Sequence, residues 1–183
     1  MIIRSLGLAL ILIAMAAPPA SAESGEDYAR TGAYLGAGLA LGWENYDGVP
    51  VDFDTGVGFD AWGGYRFHPN FAGELELEYV DRVNSGALDT SLLTFTGNLK
   101  AYLTRGRVQP FVLVGIGVTR VGAGFAGSGL GSESSFGARF GGGLDFYLTE
   151  NISLGATASY VLATRDIDGF DYVSLVMGAQ YRF

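Results

Sequence analysis

The sequence predicts an all-β protein that folds as an eight-stranded antiparallel up-and-down transmembrane β-barrel. Eight segments alternate apolar residues with polar or small ones, which is the two-residue period of a β-strand. The spacers between them are alternately short and long, as in barrels that cross a membrane. Glycine contributes 29 of the 183 residues, and a narrow barrel that holds long charged side chains needs small neighbours for them.

The first residues precede the predicted barrel. Arg4 is followed by an apolar run over residues 6–17 and then by the small residues of positions 20–22, which is the pattern of a secretory signal peptide with its cleavage site. We therefore predict a signal peptide over residues 1–22 and a barrel domain over residues 23–183. The alternative is an uncleaved membrane anchor. Beyond the signal, every apolar stretch is shorter than the roughly 20 residues of a membrane-spanning helix.

Each of the eight predicted strands has its own alternation. The first sets leucine against glycine, the second aromatic residues against charged and small ones, the third leucine against glutamate, and the fourth leucine and phenylalanine against threonine and lysine. The fifth alternates valine with glycine less cleanly, and the last three alternate bulky apolar residues with glycine, serine or arginine. In chain order the predicted strands cover residues 34–43, 56–67, 71–81, 91–103, 108–121, 135–148, 152–162 and 172–183.

The spacers predict two unlike ends of the barrel. Tight turns follow the even-numbered strands, at residues 68–70, 104–107 and 149–151. Longer loops rich in Gly, Ser and Asp follow the odd-numbered strands, at about 43–55, 82–90, 122–134 and 163–171. In membrane barrels the short turns lie in the periplasm and the long loops lie outside the cell.

Charged residues on the polar faces predict which side of the sheet faces inward. Acids and bases are balanced on these faces, which suits an enclosed lumen because an unpaired buried charge is costly. The bulky apolar faces then meet lipid. The alternative is a soluble lipocalin-like barrel with its apolar face inward around a ligand. The predicted interior ion-pair network, a structural one, comprises Asp60, Arg66, Glu74, Glu76, Glu78, Arg82, Lys100, Arg139, Asp145 and Arg182.

Aromatic residues near the strand ends predict two belts at the membrane interfaces. The belt near the short turns comprises Phe67, Phe71, Phe146, Tyr181 and Phe183, and the belt near the long loops comprises Trp43, Tyr46, Tyr79, Phe136, Tyr160 and Tyr172.

Several stretches resemble a known family. The opening "GAYLGAGLALGW", the strand "QPFVLVGIGV", the stretch "GGGLDFYLTENISLGATASY" and the terminal "YVSLVMGAQYRF" are similar to bacterial outer-membrane β-barrels of the OmpA-like and opacity type. The resemblance implies a monomer in the Gram-negative outer membrane, with periplasmic termini and contacts to lipid and lipopolysaccharide. It also implies that Tyr181 and Phe183 form the C-terminal signal for the barrel-assembly machinery.

The sequence predicts neither a catalytic site nor a cofactor. The pattern Gly122-x-Gly124-x-x-Gly127 matches the dinucleotide fingerprint, but it runs on into a strand rather than a helix. His68 is the only histidine, lies in a predicted turn, and is not part of the His-x-Ser pattern of the lipid A deacylases among such barrels. The net charge of −8 makes nucleic acid an unsuitable partner.

Two acidic patterns raise the question of a metal, and for both we expect none. Glu74, Glu76 and Glu78 share one face of a strand, yet enough bases lie on the same face to make ion pairing the simpler account. The stretch Asp166-x-Asp168-Gly169-x-Asp171 resembles part of a calcium loop but lacks its spacing and terminal glutamate, so we expect a solvated turn, with weak divalent binding at the lipopolysaccharide surface as the alternative. The expected function is therefore a non-enzymatic envelope-structural or surface-interaction protein, with a narrow channel for small solutes as the alternative.

Overall fold

The computed structural model describes residues 27–45, 56–81, 89–125, 128–164 and 171–183. They form eight strands that pair antiparallel in chain order, and β8 pairs with β1 to close the barrel. The strands are β1 Gly32–Asn45, β2 Gly56–His68, β3 Phe71–Asp81, β4 Asp89–Tyr102, β5 Val108–Phe125, β6 Ser128–Tyr147, β7 Ile152–Thr164 and β8 Asp171–Arg182. The predicted fold class is confirmed. The predicted signal peptide, Arg82 and most of the acidic stretch 166–171 lie outside the described residues.

The barrel has one end at which the connections are short, which we call the short-turn end. Two residues join β2 to β3, five join β4 to β5, and four join β6 to β7. Residues 27–31 and the C-terminal Phe183 lie at the same end, where the Phe183 backbone N–H donates to the Ala33 carbonyl at 3.0 Å. The other end, the long-loop end, carries the connections after the odd-numbered strands.

The predicted loop at residues 122–134 is wrong, because most of it is strand. β5 continues to Phe125 and β6 begins at Ser128, and these two residues pair with each other at the tip of a long hairpin. Glycine and serine disfavour strands in isolation, but here each strand completes the backbone hydrogen bonds of the other. Gly122 and Gly124 of the dinucleotide-like pattern therefore belong to an extended strand, not to the start of a helix.

The two faces of the sheet are placed as the alternation predicts. The outer surface exposes apolar side chains such as Ile116, which is 76% exposed, and Phe136, which is 74% exposed. The lumen buries charged or polar side chains from strands β2 to β8. The buried side chains of β1 include Tyr34 and Ala40. The lipocalin-like alternative is wrong, since the apolar face lies outside. Within the described residues, no helix is long and apolar enough to cross a membrane.

The described aromatic residues follow the prediction with one clear exception, while Tyr46 and the side chain of Trp43 lie outside what the structure describes. Phe67, Phe71, Phe146, Tyr181 and Phe183 are exposed on the outer surface towards the short-turn end. Tyr172, which we predicted for the opposite belt, is 1% exposed and points into the lumen. It occupies an inward position of β8, where its hydroxyl donates to Thr94 Oγ1 at 2.8 Å.

Candidate functional site

The candidate site is the charged lumen, and strand β3 supplies most of its carboxylates. Glu74, Glu76 and Glu78 are buried at alternate positions because the side chains of a strand point to opposite faces in turn. Asp60 of β2 lies directly opposite Glu78 in the β2–β3 register, and Lys100 of β4 lies opposite Ala72.

Two basic residues neutralise the glutamates of β3. Lys100 Nζ lies 2.7 Å from Glu74 Oε2. Arg139 extends across the lumen from β6, with Nη1 2.8 Å from Glu76 Oε1 and Nη2 3.3 Å from Glu78 Oε2. The Arg139 Nε also donates to Ser159 Oγ at 2.9 Å, so this guanidinium is held on both sides.

Neutral donors complete the surroundings of the glutamates. Asn98 Nδ2 donates to Glu76 Oε2 at 2.6 Å, and Ser174 Oγ donates to Glu78 Oε2 at 2.8 Å. Hydrogen bonds of this kind are needed because a buried carboxylate has lost its hydration.

Asp60, Glu76 and Glu78 converge to form a group that we call the carboxylate cluster. One oxygen from each residue can be chosen so that all three lie within 4.8 Å of one another. Asp60 is 1% exposed, and neither of its carboxylate oxygens has a hydrogen-bond partner among the described residues. The cluster is thus the place in the described lumen where the set of side chains could hold a metal.

A small cavity adjoins the carboxylate cluster. Its volume is about 20 Å³, and Asp60, Trp62 and Glu76 are among the residues that line it. A water molecule needs about 10–15 Å³ measured in this way, so the cavity has room for about one. Side chains of the lumen, Trp62 among them, enclose this cavity.

Arg66 and Arg182 lie at the short-turn end, away from the carboxylate cluster, in what we call the arginine cap. Arg182 donates from Nη1 to the Tyr28 carbonyl at 2.8 Å and from Nη2 to the Glu150 carbonyl at 2.7 Å. Arg66 donates to the carbonyls of Tyr28 and Pro69 and, at 2.8 Å, to Gln109 Oε1. Among the described residues neither arginine forms an ion pair with a carboxylate, in contrast to the expected network.

The arginine cap holds residues 27–31 across the end of the barrel. The Tyr28 carbonyl accepts hydrogen bonds from Arg66, Gln109 and Arg182. The Tyr28 ring lies 5.7 Å from that of Tyr147, and the Arg182 guanidinium lies over the Tyr147 ring at 4.9 Å. These contacts close the short-turn end.

The remaining predicted residue, Asp145, contacts an aromatic residue that the sequence did not single out. The Tyr102 hydroxyl donates to Asp145 Oδ2 at 3.3 Å, and the Tyr102 ring also lies under the Arg66 guanidinium at 4.1 Å. Tyr102 lies at the end of β4, where an aromatic residue is typical of the membrane interface. Its position two residues beyond Lys100 on the same face is the sequence signal that could have placed it inside.

Trp62 fills the middle of the lumen because the strands facing it carry glycine. A methyl group at Gly36 would lie 2.2 Å from the Trp62 ring, and one at Gly178 would lie 2.7 Å from it. The Trp62 indole N–H donates to Gln180 Oε1 at 3.0 Å. The interior glycines thus make room for one large side chain rather than leaving an open bore.

His68 takes part in none of these interactions. Its side chain is exposed at the turn after β2, where Nδ1 accepts a hydrogen bond of 3.1 Å from the Asn70 backbone N–H. This contact gives His68 a structural role in the turn between β2 and β3.

The chain is similar to a known family and to several solved structures. It matches the family "Outer membrane protein beta-barrel domain" over residues 6–183. It is similar to Neisserial surface protein A (NspA), with a TM-score of 0.73 and 18% sequence identity over 82% of this chain and 97% of that one. It is also similar to Ail, the attachment invasion locus protein of Yersinia pestis, with a TM-score of 0.63 and 21% identity over 84% of this chain and 100% of that one.

A third similar structure is the outer membrane protein OprG of Pseudomonas aeruginosa. Its TM-score is 0.53, with 17% identity over 87% of this chain and 98% of that one. No curated protein matches the chain. At these identities the solved structures show a shared fold.

Proposed function

Because the chain belongs to the outer membrane protein beta-barrel domain family, we propose that it is a non-enzymatic protein with an envelope-structural or surface-interaction role. The family places the barrel in the Gram-negative outer membrane, which confirms the resemblance predicted from the sequence. A fold does not determine a function, so the proposal is carried by the contents of the barrel.

The observation that carries the proposal is the packed lumen. Lys100 and Arg139 extend into the bore to meet the glutamates of β3, and Trp62 fills the space over Gly36 and Gly178. The arginine cap adds a second closure at the short-turn end, where residues 27–31 are held by Arg66 and Arg182. A barrel that is closed at two levels is not suited to conduct solutes. It favours a protein that displays its long-loop end instead.

The orientation that we propose follows from the unequal ends. The short-turn end, with both termini, faces the periplasm, and the long-loop end faces outward.

The chain is a monomer after removal of residues 1–22, and its outer face contacts lipid and lipopolysaccharide. Tyr181 and Phe183 are exposed with their rings 5.1 Å apart, where the assembly machinery can reach them.

Reconstitution into planar bilayers tests the closed lumen. We expect folded protein to give no resolved, reproducible single-channel steps, while a porin of known conductance gives them in the same bilayers. Reproducible steps from the folded form would support the narrow channel instead. A purified preparation is judged folded when its gel mobility differs between unboiled and boiled samples.

A second test addresses the absence of enzyme activity. Lipopolysaccharide incubated with the folded protein in detergent should keep its acyl chains and its mass unchanged. Loss of an acyl chain that depends on folded protein would overturn the non-enzymatic proposal. Conversion by the wild type but not by a His68→Ala variant would then assign the activity to the exposed turn.

A further inference from the structure

The carboxylate cluster carries more negative charge than the basic groups around it neutralise. Arg139 pairs with Glu76 and Glu78, and its Nε is already used by Ser159. The nearby Lys100 pairs with Glu74, which is not a member of the cluster. Among the described residues no basic group forms an ion pair with Asp60, so the three carboxylates of the cluster have only the single positive charge of Arg139 within ion-pair distance.

The free oxygens of the cluster point to a missing cation. Both oxygens of Asp60 and Oε1 of Glu78 are buried without a hydrogen-bond partner among the described residues. Asp60 also lies directly opposite Glu78 in the strand register, where like charges destabilise a sheet. A buried arrangement of this kind is costly unless a positive ion lies between the carboxylates.

We propose that Asp60, Glu76 and Glu78 bind a divalent cation with the size and ligand preference of Ca²⁺ inside the barrel. Ca²⁺ binds oxygen ligands at about 2.3–2.6 Å, so ligands on opposite sides of the ion lie up to about 5 Å apart. The three oxygens of the cluster lie within 4.8 Å of one another and therefore fit around one such ion. Mg²⁺ requires shorter bonds and a strict octahedron, which an irregular group of carboxylates matches less well.

Further oxygen ligands are close to the carboxylate cluster. The cavity lined by Asp60 and Glu76 has room for about one water molecule. Thr96 lies opposite Glu76 in the β3–β4 register, and its buried hydroxyl has no hydrogen-bond partner among the described residues. The expectation of no metal concerned Glu74, Glu76 and Glu78. In the structure Glu74 pairs with Lys100, and Asp60 of the neighbouring strand lies beside Glu76 and Glu78 instead.

Trp62 provides a reporter for the site. It lines the same cavity as Asp60 and Glu76, and the sequence contains one other tryptophan, Trp43. Tb³⁺ occupies oxygen-ligand Ca²⁺ sites and emits when an excited tryptophan nearby transfers energy to it. In a Trp43→Phe background, chelator-treated protein folded in detergent should show saturable terbium emission at one ion per chain, and added Ca²⁺ should displace it.

Two substitutions, each of which removes one negative charge, test whether the terbium emission comes from the carboxylate cluster. Asp60→Asn keeps the shape of the unpartnered side chain, and should weaken terbium binding by more than the roughly 10-fold expected when a supporting contact is lost. Asp81→Asn is the matched control, because Asp81 is exposed at the end of β3. It should leave the affinity unchanged. Equal affinities for the two variants would overturn the proposal.

Stability gives a second readout that does not depend on terbium. Ca²⁺ should raise the urea midpoint of the wild type above its value in chelator, and should leave that of Asp60→Asn unchanged. In chelator, Asp60→Asn should be at least as stable as the wild type, because it removes an unpaired buried charge.

The remaining outcomes also decide the question. If acid stabilises the wild type but Ca²⁺ does not, a proton neutralises the cluster and the proposal is wrong. If Asp60→Asn does not fold, as judged by unboiled gel mobility, Glu76→Gln takes its place. Absence of a saturable Ca²⁺ effect on the wild type overturns the proposal without any variant.

Discussion

The carboxylate cluster and the arginine cap lie in the same lumen and neutralise their charges in different ways. In the middle of the barrel, carboxylates meet basic side chains directly, as Glu76 meets Arg139 at 2.8 Å. At the short-turn end, guanidinium groups meet backbone carbonyls, as Arg182 meets that of Glu150 at 2.7 Å. The difference follows from what each region offers, since turns and terminal segments leave carbonyls unpaired whereas paired strands do not.

This contrast separates two functions of buried charge. The ion pairs of Arg139 join β6 to β3, which are not neighbours, so they cross the bore and fill it. The arginine cap instead fixes an irregular segment against the end of a regular sheet. Removing a charge should therefore be most harmful in the middle, where the partner that remains is itself an ion.

Arg139→Met should have the largest effect. It leaves Glu76 and Glu78 buried without their counter-ion, which costs about 3–5 kcal/mol of unfolding free energy. Urea unfolding in detergent micelles, followed by tryptophan fluorescence, measures the change. The triple variant with Glu76→Gln and Glu78→Gln should recover most of the loss, because the charges that lost their partner are gone. A single variant as stable as the wild type would show that the ion pairs are not needed.

Leu77→Lys introduces a charge that has neither an oppositely charged side chain nor a backbone carbonyl as its partner. Leu77 lies on the outer face near the middle of β3 and is 39% exposed. A lysine near the centre of the bilayer costs about 2–4 kcal/mol. The measurement is unfolding in lipid bilayers, with Leu77→Ala as the control for lost side-chain contacts. If lysine costs no more than alanine there, Leu77 does not face the hydrocarbon core.

Arg182→Met tests the arginine cap. It removes the side-chain donor from the Glu150 carbonyl and one of three donors from the Tyr28 carbonyl, and a carbonyl left unsatisfied costs about 1–3 kcal/mol. The loss should be smaller than for Arg139→Met, because no ion is left unpaired. Limited proteolysis should also cut near residues 27–31 faster in the variant. A loss as large as that of Arg139→Met would remove the distinction between the two regions.

Tyr172→Phe should have the smallest effect. It deletes one hydroxyl that donates to Thr94 Oγ1 at 2.8 Å and leaves the ring in place. A neutral hydrogen bond of this kind contributes about 0.5–1.5 kcal/mol. The same urea experiment applies, and a cost above that of Arg182→Met would mean that the hydroxyl also supports the nearby ionic contacts.

The sequence predicted the strands and the two faces because both depend on local alternation. Glu74, Glu76 and Glu78 must share a face in any strand, whatever lies across the barrel. Their partners could not be predicted, since Arg139 reaches Glu78 from 61 positions away and across the bore. The height of each residue along the barrel axis, which alternation does not encode, decides which charges meet.

The same limit explains the aromatic and hairpin errors. Tyr172 is in the inward register of β8, but its place near a strand end made it resemble a belt residue. The hairpin of β5 and β6 is held by pairing between strands, and its glycines and serines carry no local signal for it. Asp60 was correctly placed on an inward face, while its lack of a counter-charge became visible only with all strands in position.

The arginine cap makes completion of the barrel and closure of its end a single event. Arg182 belongs to the last strand, and the Tyr28 carbonyl that it binds lies 154 positions earlier, just before the first strand. This contact can form only when β8 has docked against β1, so it reports that the seam is shut. A folding intermediate with an open seam would lack the contact with Arg182, so residues 27–31 should be cut by protease faster in it than in the closed barrel.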